Sequence, residues 1–198
     1  MPPTKALRLI LWALVALAAA GAAVLALRQS RQEAPPPSAN SNFGGAFTLT
    51  GADGKPFSSQ SLEGKPYAIY FGFTRCGDVC PTTLSRLVKL RREAGPERAL
   101  RIVFVTIDPA HDGPEEVGQY AKLFGSPIIG LTGSAAQIDQ VKKQYGIFAQ
   151  PMAHPVAGKE MEHTATVLLI DRGGKFIGTI TPGEQDESAL ASMKALIG

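Results

Sequence analysis

Two runs of apolar and β-prone residues, YAIYFGF at 67–73 and IVFVTID at 102–108, carry no charge before Asp108. Such unbroken runs belong to strands covered on both faces. Between them Leu84, Leu87, Val88 and Leu90 recur at helical spacing with Arg and Lys on the other side, which predicts an amphipathic helix over residues 82–94. Pro81 suits its first turn, where a missing N–H leaves no bond unmade. Further on, the pattern predicts a helix over 115–124 after Pro114, a short strand or loop at 127–133, and a helix running from Ser134, a good N-cap, to about Tyr145. TATVLLID (164–171), a Gly-Gly turn and KFIGTIT (175–181) predict a β-hairpin, and residues 187–197 a closing amphipathic helix. At the near end FTLT (47–50), GADGK and PFSS predict an opening hairpin.

This order of elements is that of a thioredoxin-like domain: α/β, a central mixed sheet flanked by helices, with an N-terminal β-hairpin. It occupies residues 43–198, the domain boundary falling near 43–47. Before it, residues 29–42 are rich in Pro, Ser and Asn and read as a flexible linker with nothing to bury. Residues 9–27 form a 19-residue stretch without charge, flanked by Lys5 and Arg8 and by Arg28 and Arg31. As a helix it spans roughly 28 Å, close to the hydrocarbon thickness of a bilayer, which predicts a transmembrane anchor within residues 1–28. A cleaved signal peptide is the competing reading, but its apolar region normally runs only about 7–15 residues. No cysteine follows the stretch, so a lipoprotein anchor is excluded.

Charge sharpens the division. The chain of 198 residues has a formal net charge of +3, yet residues 1–31 hold four basic side chains and no acid, leaving the remainder at −1. The domain therefore lacks the basic stripe that nucleic-acid binding needs. An N-terminal anchor as a rule leaves the bulk of the chain outside the cytoplasm, although basic residues on both flanks weaken any argument from the positive-inside rule.

The chain has two cysteines, Cys76 and Cys80, in GFTRCGDVCPTTL, directly after a predicted buried strand and before a helix. At the helix N-terminus the dipole favours a thiolate, and Cys80 is the residue this places there. A passive disulfide is the plain alternative in an oxidising compartment, but so short a loop gains little from cross-linking. A working pair does redox chemistry or binds metal. Two thiolates do not meet zinc's four-ligand structural habit, whereas thiolates plus an imidazole suit copper. Of three histidines, His111 and His154 read as solvated loop residues. His163 lies at the loop-to-strand junction opposite the cysteine loop.

FGFTRCGDVCPTTL, VTIDPAHDGPEEV and EHTATVLLID, in this order, resemble the Sco (SCO/SenC) copper chaperones, from about residue 43 to the C-terminus. The resemblance implies a mononuclear copper site with Cys76, Cys80 and His163 as ligands. It implies delivery of copper, as Cu(I) or Cu(II), to the dinuclear copper site of cytochrome c oxidase subunit II, or reduction of the thiols there. An upstream copper donor protein is implied too, and a place in the bacterial inner membrane, single-pass, with the soluble domain facing the periplasm. Asp78, Asp108 and Asp112 match the family's acidic positions. As hard oxygen donors they are poor Cu(I) ligands, and they read as orienting the cysteine loop, facing a partner, or simply solvated.

Two positions depart from the family pattern. Gly77 stands where proline is common, which is expected to loosen the cysteine loop; Glu162 stands before His163 where aspartate is common, with consequences expected for how the imidazole is held. Met152, His154 and Met161 lie nearby, and irregular loop packing is the expected use of the two thioethers. The reading that rivals a chaperone is a thiol–disulfide oxidoreductase reducing a partner's cysteine pair; a peroxidase is a weaker third.

Overall fold

Strand β3 (Tyr67–Gly72), buried at all six positions, lies at the heart of a seven-stranded sheet. The structure is a computed structural model and describes residues 43–198. The anchor expected in residues 1–28 and the linker expected at 29–42 lie outside the described residues. Among the described residues no helix is long and apolar enough to cross a membrane.

The chain opens with β1 (Thr48–Gly51) paired antiparallel to β2 (Pro56–Ser58), the predicted hairpin. After β3 come α1 (Val79–Ala94), β4 (Arg101–Thr106), α2 (Pro114–Lys122), β5 (Ile129–Thr132) and α3 (Ala135–Gln144). Then follow β6 (Ala149–Val156), β7 (Lys159–His163), β8 (Val167–Ile170), β9 (Phe176–Ile180) and α4 (Asp186–Ile197). The sheet order is β2-β1-β5-β4-β3-β8-β9, with β3, β4 and β5 parallel and the remaining pairs antiparallel. Burial follows that order. The β4 and β8 strands beside β3 are almost wholly buried, whereas β2 and β9 at the edges alternate or lie open. This is the mixed α/β, thioredoxin-like arrangement that the apolar pattern predicts.

Local chemistry sets the element ends. Ser134 caps α3 in a reciprocal capping box with Gln137. Pro114 opens α2 at the position where its fixed φ is already helical. Helix α1 starts three residues earlier than its apolar spacing predicts, at Val79, so Cys80 and Pro81 both lie in its first turn. The first turn has no intrahelical N–H bonds to lose, so proline is accommodated there.

One whole unit escapes the sequence pattern. The stretch from Met152 to Met161 is not irregular loop: β6 and β7 form a separate two-stranded antiparallel hairpin. Its strands are largely exposed, so neither shows the buried alternation by which strands are recognised. His163 accordingly does not open the following strand; it closes β7, with three residues between it and β8.

Candidate metal centre

Gly72 at the end of β3 fixes where the site lies. A Cβ there would meet Cys80 Sγ at 2.9 Å and Tyr70 Cε1 at 3.0 Å, so the absence of a side chain lets the first turn of α1 press onto the sheet. Cys80 is fully buried as a result, and Cys76 is 9% exposed. Both are free thiols. The Cys80 amide, at the open N-terminus of α1, donates to Cys76 Sγ at 3.3 Å.

The contact between the two sulfurs reverses their expected roles. A hydrogen bond from the Cys80 side chain outweighs burial and, with the backbone N–H groups of Asp78 and Cys80, lowers the Cys76 thiol to about 4. Cys80 moves up, through the same shared hydrogen bond and through burial. Of the two sulfurs, Cys76 is the one favoured as thiolate. The helix N-terminus does stabilise a thiolate, as the sequence suggests, but its N–H groups point at the sulfur in the preceding loop rather than at the one within the turn.

His163 completes the group. Its Nδ1 lies 3.0 Å from the Thr164 carbonyl oxygen. A carbonyl only accepts, so Nδ1 carries the proton and Nε2 presents its lone pair. Nε2 stands 3.7 Å from Cys80 Sγ. The ring packs edge-on against Tyr70 and Phe73, at centroid distances of 6.3 and 6.0 Å. Glu162 plays no part in holding it: its carboxylate accepts from Gln150 across the hairpin.

The three aspartates separate. Asp112 is fully buried and accepts from the Thr74 amide at 2.9 Å, the Thr74 hydroxyl at 2.6 Å and the Thr106 hydroxyl at 2.6 Å. Asp108 is also buried and accepts from Arg75 at 2.7 Å and from His111 Nδ1 at 2.9 Å. Burial works against its charge, yet His111 and Arg75 hold the carboxyl below the ordinary aspartate value. Both carboxylates therefore grip residues 74 and 75, immediately before Cys76, and the solvated reading fails for them. Asp78 is exposed, sits at the N-cap of α1 and makes no capping bond with its side chain. His111, expected to be merely solvated, is the partner of Asp108. His154 and Met152 are exposed on β6, whereas Met161 packs partly against the core. Gly77 does not loosen the loop, since its amide donates to the Gly158 carbonyl at 3.0 Å.

The donor set fits a soft ion. Two sulfurs, Cys76 the more readily ionised, and an imidazole nitrogen lie close together, while the Asp108 and Asp112 carboxylates are occupied by hydrogen bonds. Among the described residues no group of three His, Cys, Asp or Glu side chains is already placed to hold a metal ion, so the sulfurs and Nε2 would have to draw together on one. A further sign is the Tyr70 hydroxyl, buried beside Cys80 without a hydrogen-bond partner. An orphaned donor at that point is satisfied once Cys80 gives up its proton and becomes charged. Sequence reasoning missed Tyr70, Thr74, Arg75 and Thr106; the Thr106-x-Asp108 spacing after a buried strand was the available signal for the last.

The fold and this constellation define a class: a thioredoxin-like domain carrying two cysteines and a histidine where the first central strand meets its helix. The family model described as SCO1/SenC matches residues 35–198, and the chain belongs to that family. It is 35% identical over 159 residues to "Protein SCO2, mitochondrial" of Saccharomyces cerevisiae, covering 78% of this chain and 53% of the yeast protein. The chain thus spans about half the length of that relative. Among solved structures it is similar to Bradyrhizobium japonicum ScoI with copper bound, at 34% identity and TM-score 0.69, covering 78% of this chain and 99% of that one. It is also similar to Arabidopsis thaliana ScoI with copper bound, at 28% identity and TM-score 0.72, covering 78% and 98%.

Proposed function

We propose that this protein is a membrane-tethered copper metallochaperone. Cys76, Cys80 and His163 hold one copper ion as cargo and pass it by ligand exchange to the dinuclear copper site of cytochrome c oxidase subunit II. Residues 1–28 tether it in the bacterial inner membrane with the domain in the periplasm, and an upstream donor protein supplies the ion. The observation that carries the reading is His163 Nε2 standing 3.7 Å from Cys80 Sγ, with Nδ1 turned to the Thr164 carbonyl, while the Cys80 amide holds Cys76 Sγ at 3.3 Å. Copper-bound relatives of the same fold support it. Copper uptake requires Cys80 to lose its proton and the pair to stay reduced, because an oxidised pair offers no thiolates; redox state thereby gates loading.

The test is copper titration of the reduced full-length chain beside Cys76→Ala, Cys80→Ala and His163→Ala. Wild type takes up about one equivalent, either cysteine variant loses high-affinity binding, and His163→Ala loses the nitrogen coupling in Cu(II) spectra, as expected for soft N/S ligation. No near-stoichiometric copper, or unchanged spectra in His163→Ala, sinks it.

One observation favours a second activity on the same residues. A Cys76 thiolate beside a buried Cys80 thiol is the arrangement of an attacking and a resolving cysteine. Cys76 would attack a partner disulfide, forming a mixed disulfide and releasing one partner thiolate. Cys80, losing its proton, would then displace the second partner thiolate. The Cys80 proton and one from water protonate the two released thiolates, so the partner leaves as a dithiol and Cys76–Cys80 as a disulfide. For that activity His163→Ala matters little, while either cysteine variant abolishes turnover.

A further inference from the structure

The β6–β7 hairpin that ends in His163 poses a problem of support. It shares no strand with the main sheet, and its residues are mostly exposed. An isolated two-stranded hairpin is marginal in water, yet this one must present an imidazole to two sulfurs held by a different part of the fold. At its base Thr164 and Phe148 exchange hydrogen bonds, of 2.9 and 3.2 Å. At its tip the tie is to the cysteine loop itself. Gly77, next to Cys76, donates its amide to the carbonyl of Gly158 at 3.0 Å.

The approach is backbone to backbone, with glycine on both sides. A Cβ on Gly158 would meet the Cα and N of Gly77 at 3.0 Å each, and a Cβ on Gly77 would meet the Cα of Gly158 at 3.3 Å. Gly158 has φ +81°, which bends the chain from β6 into β7, and Glu160 accepts its amide at 3.2 Å, fixing the turn. Glycine is needed at 158 both for that conformation and for contact. The contact joins residue 77, between the two cysteines, to the turn of the hairpin whose far strand carries His163.

We infer that Gly77 and Gly158 form a backbone latch that clamps the hairpin onto the cysteine loop and so sets the position of His163 against Cys76 and Cys80. The latch acts through His163 and touches no ion; both glycines are positioning residues. The inference rests on the metal-site reading above. Opening the latch frees the imidazole while leaving the two sulfurs, which are fixed by Gly72, α1, Asp108 and Asp112. Cu(II), which calls on the nitrogen ligand, is then affected far more than Cu(I), for which two thiolates suffice.

The experiment compares the reduced full-length chain with Gly158→Ala, Gly77→Pro and Gly174→Ala. Gly174 supplies the control: its φ is +79°, nearly that of Gly158, but nothing lies within 4 Å of a Cβ placed there. Both latch variants are expected to lose imidazole nitrogen coupling in the Cu(II) electron paramagnetic resonance spectrum and to release Cu(II) at least about tenfold faster, the scale seen when a group orienting a metal ligand is removed. Cu(I) affinity stays within about threefold, since both thiolates remain, and Gly174→Ala keeps wild-type spectra. In the metal-free protein, Gly77 amide exchange is slow in wild type and fast in Gly158→Ala. Wild-type nitrogen coupling in both latch variants overturns the latch alone. So does parallel loss of Cu(I), Cu(II) and melting temperature, which marks general misfolding. A wild-type chain that takes up no copper overturns the metal-site reading and the positioning role with it.

Discussion

The preference for a thiolate at Cys76 rather than Cys80 has a direct kinetic signature. With Cys76 lowered to about 4, its thiolate is fully formed throughout the neutral range. Alkylation by iodoacetamide, resolved by peptide fragmentation, should therefore stay level from about pH 8 to pH 5 at Cys76, whereas an ordinary thiol loses reactivity below about pH 8.5. Cys80 should remain unmodified under the same conditions. An inflection near pH 8 at Cys76 would refute the assignment. Tyr70 yields a second test at this scale. Its hydroxyl is buried and unpartnered in the metal-free protein, so Tyr70→Phe should leave the metal-free melting temperature unchanged or raise it. Copper affinity should fall by about tenfold, the worth of a hydrogen bond to a charged sulfur. Equal affinity in the two proteins, by competition with a chelator, would remove Tyr70 from the site. The cysteines and His163 were legible in the sequence because soft ligands are rare and their placement between elements is regular. Tyr70 was not legible. Within YAIYFGF it looks like any other core aromatic, and only the fold reveals which strand position faces Cys80.

Helix α1 does more than carry Cys80; it is clasped to the C-terminal end of the fold. Arg86 donates to Asp186 at 2.7 Å and to the carbonyl oxygens of Thr181 and Glu184, while Lys89 meets the other Asp186 oxygen at 2.9 Å. Hydrogen bonds from Arg86 and then Lys89 hold the Asp186 carboxyl below its ordinary value. For a depressed carboxyl, the stabilisation is complete above the unfolded value near pH 4 and disappears as pH falls through the lower folded value. Asp186→Asn should thus lower the urea midpoint at pH 7 slightly and flatten its decline below about pH 4. An acid limb identical to wild type would show that the clasp carries no linkage; the exposure of Asp186 keeps the expected change small. At this scale the strands and helices of the central layer were readable, because burial on both faces imposes runs and burial on one face imposes periodicity. The β6–β7 hairpin was not. It is held by a few backbone bonds, a glycine contact and partial packing of Ala149 and Met161 rather than by a fully buried face, so its residues obey no hydrophobic pattern.

For the whole molecule, the division of charge bears on the proposed membrane tether. Residues 43–198 carry almost balanced charge, while the basic excess and the uncharged 19-residue stretch both lie in the N-terminal segment. Attachment through basic side chains and attachment through an inserted apolar helix respond differently to salt, since exposed charges are screened within about 8 Å at physiological ionic strength and buried hydrocarbon is not. The apolar stretch matches the bilayer in length, whereas the basic residues are only four. The full-length chain should therefore stay in the membrane fraction through high-salt and alkaline carbonate washes. A chain beginning at residue 43 should leave that fraction already at low salt, since it has neither the apolar stretch nor a net positive face. Release of the full-length chain by salt would make the attachment electrostatic. A mature protein starting beyond residue 28, read by N-terminal sequencing, would make the segment a cleaved leader. Retention through both washes would leave the copper-binding face on a tether of 14 residues, long enough for a domain this size to meet a membrane-embedded partner and short enough to keep it nearby.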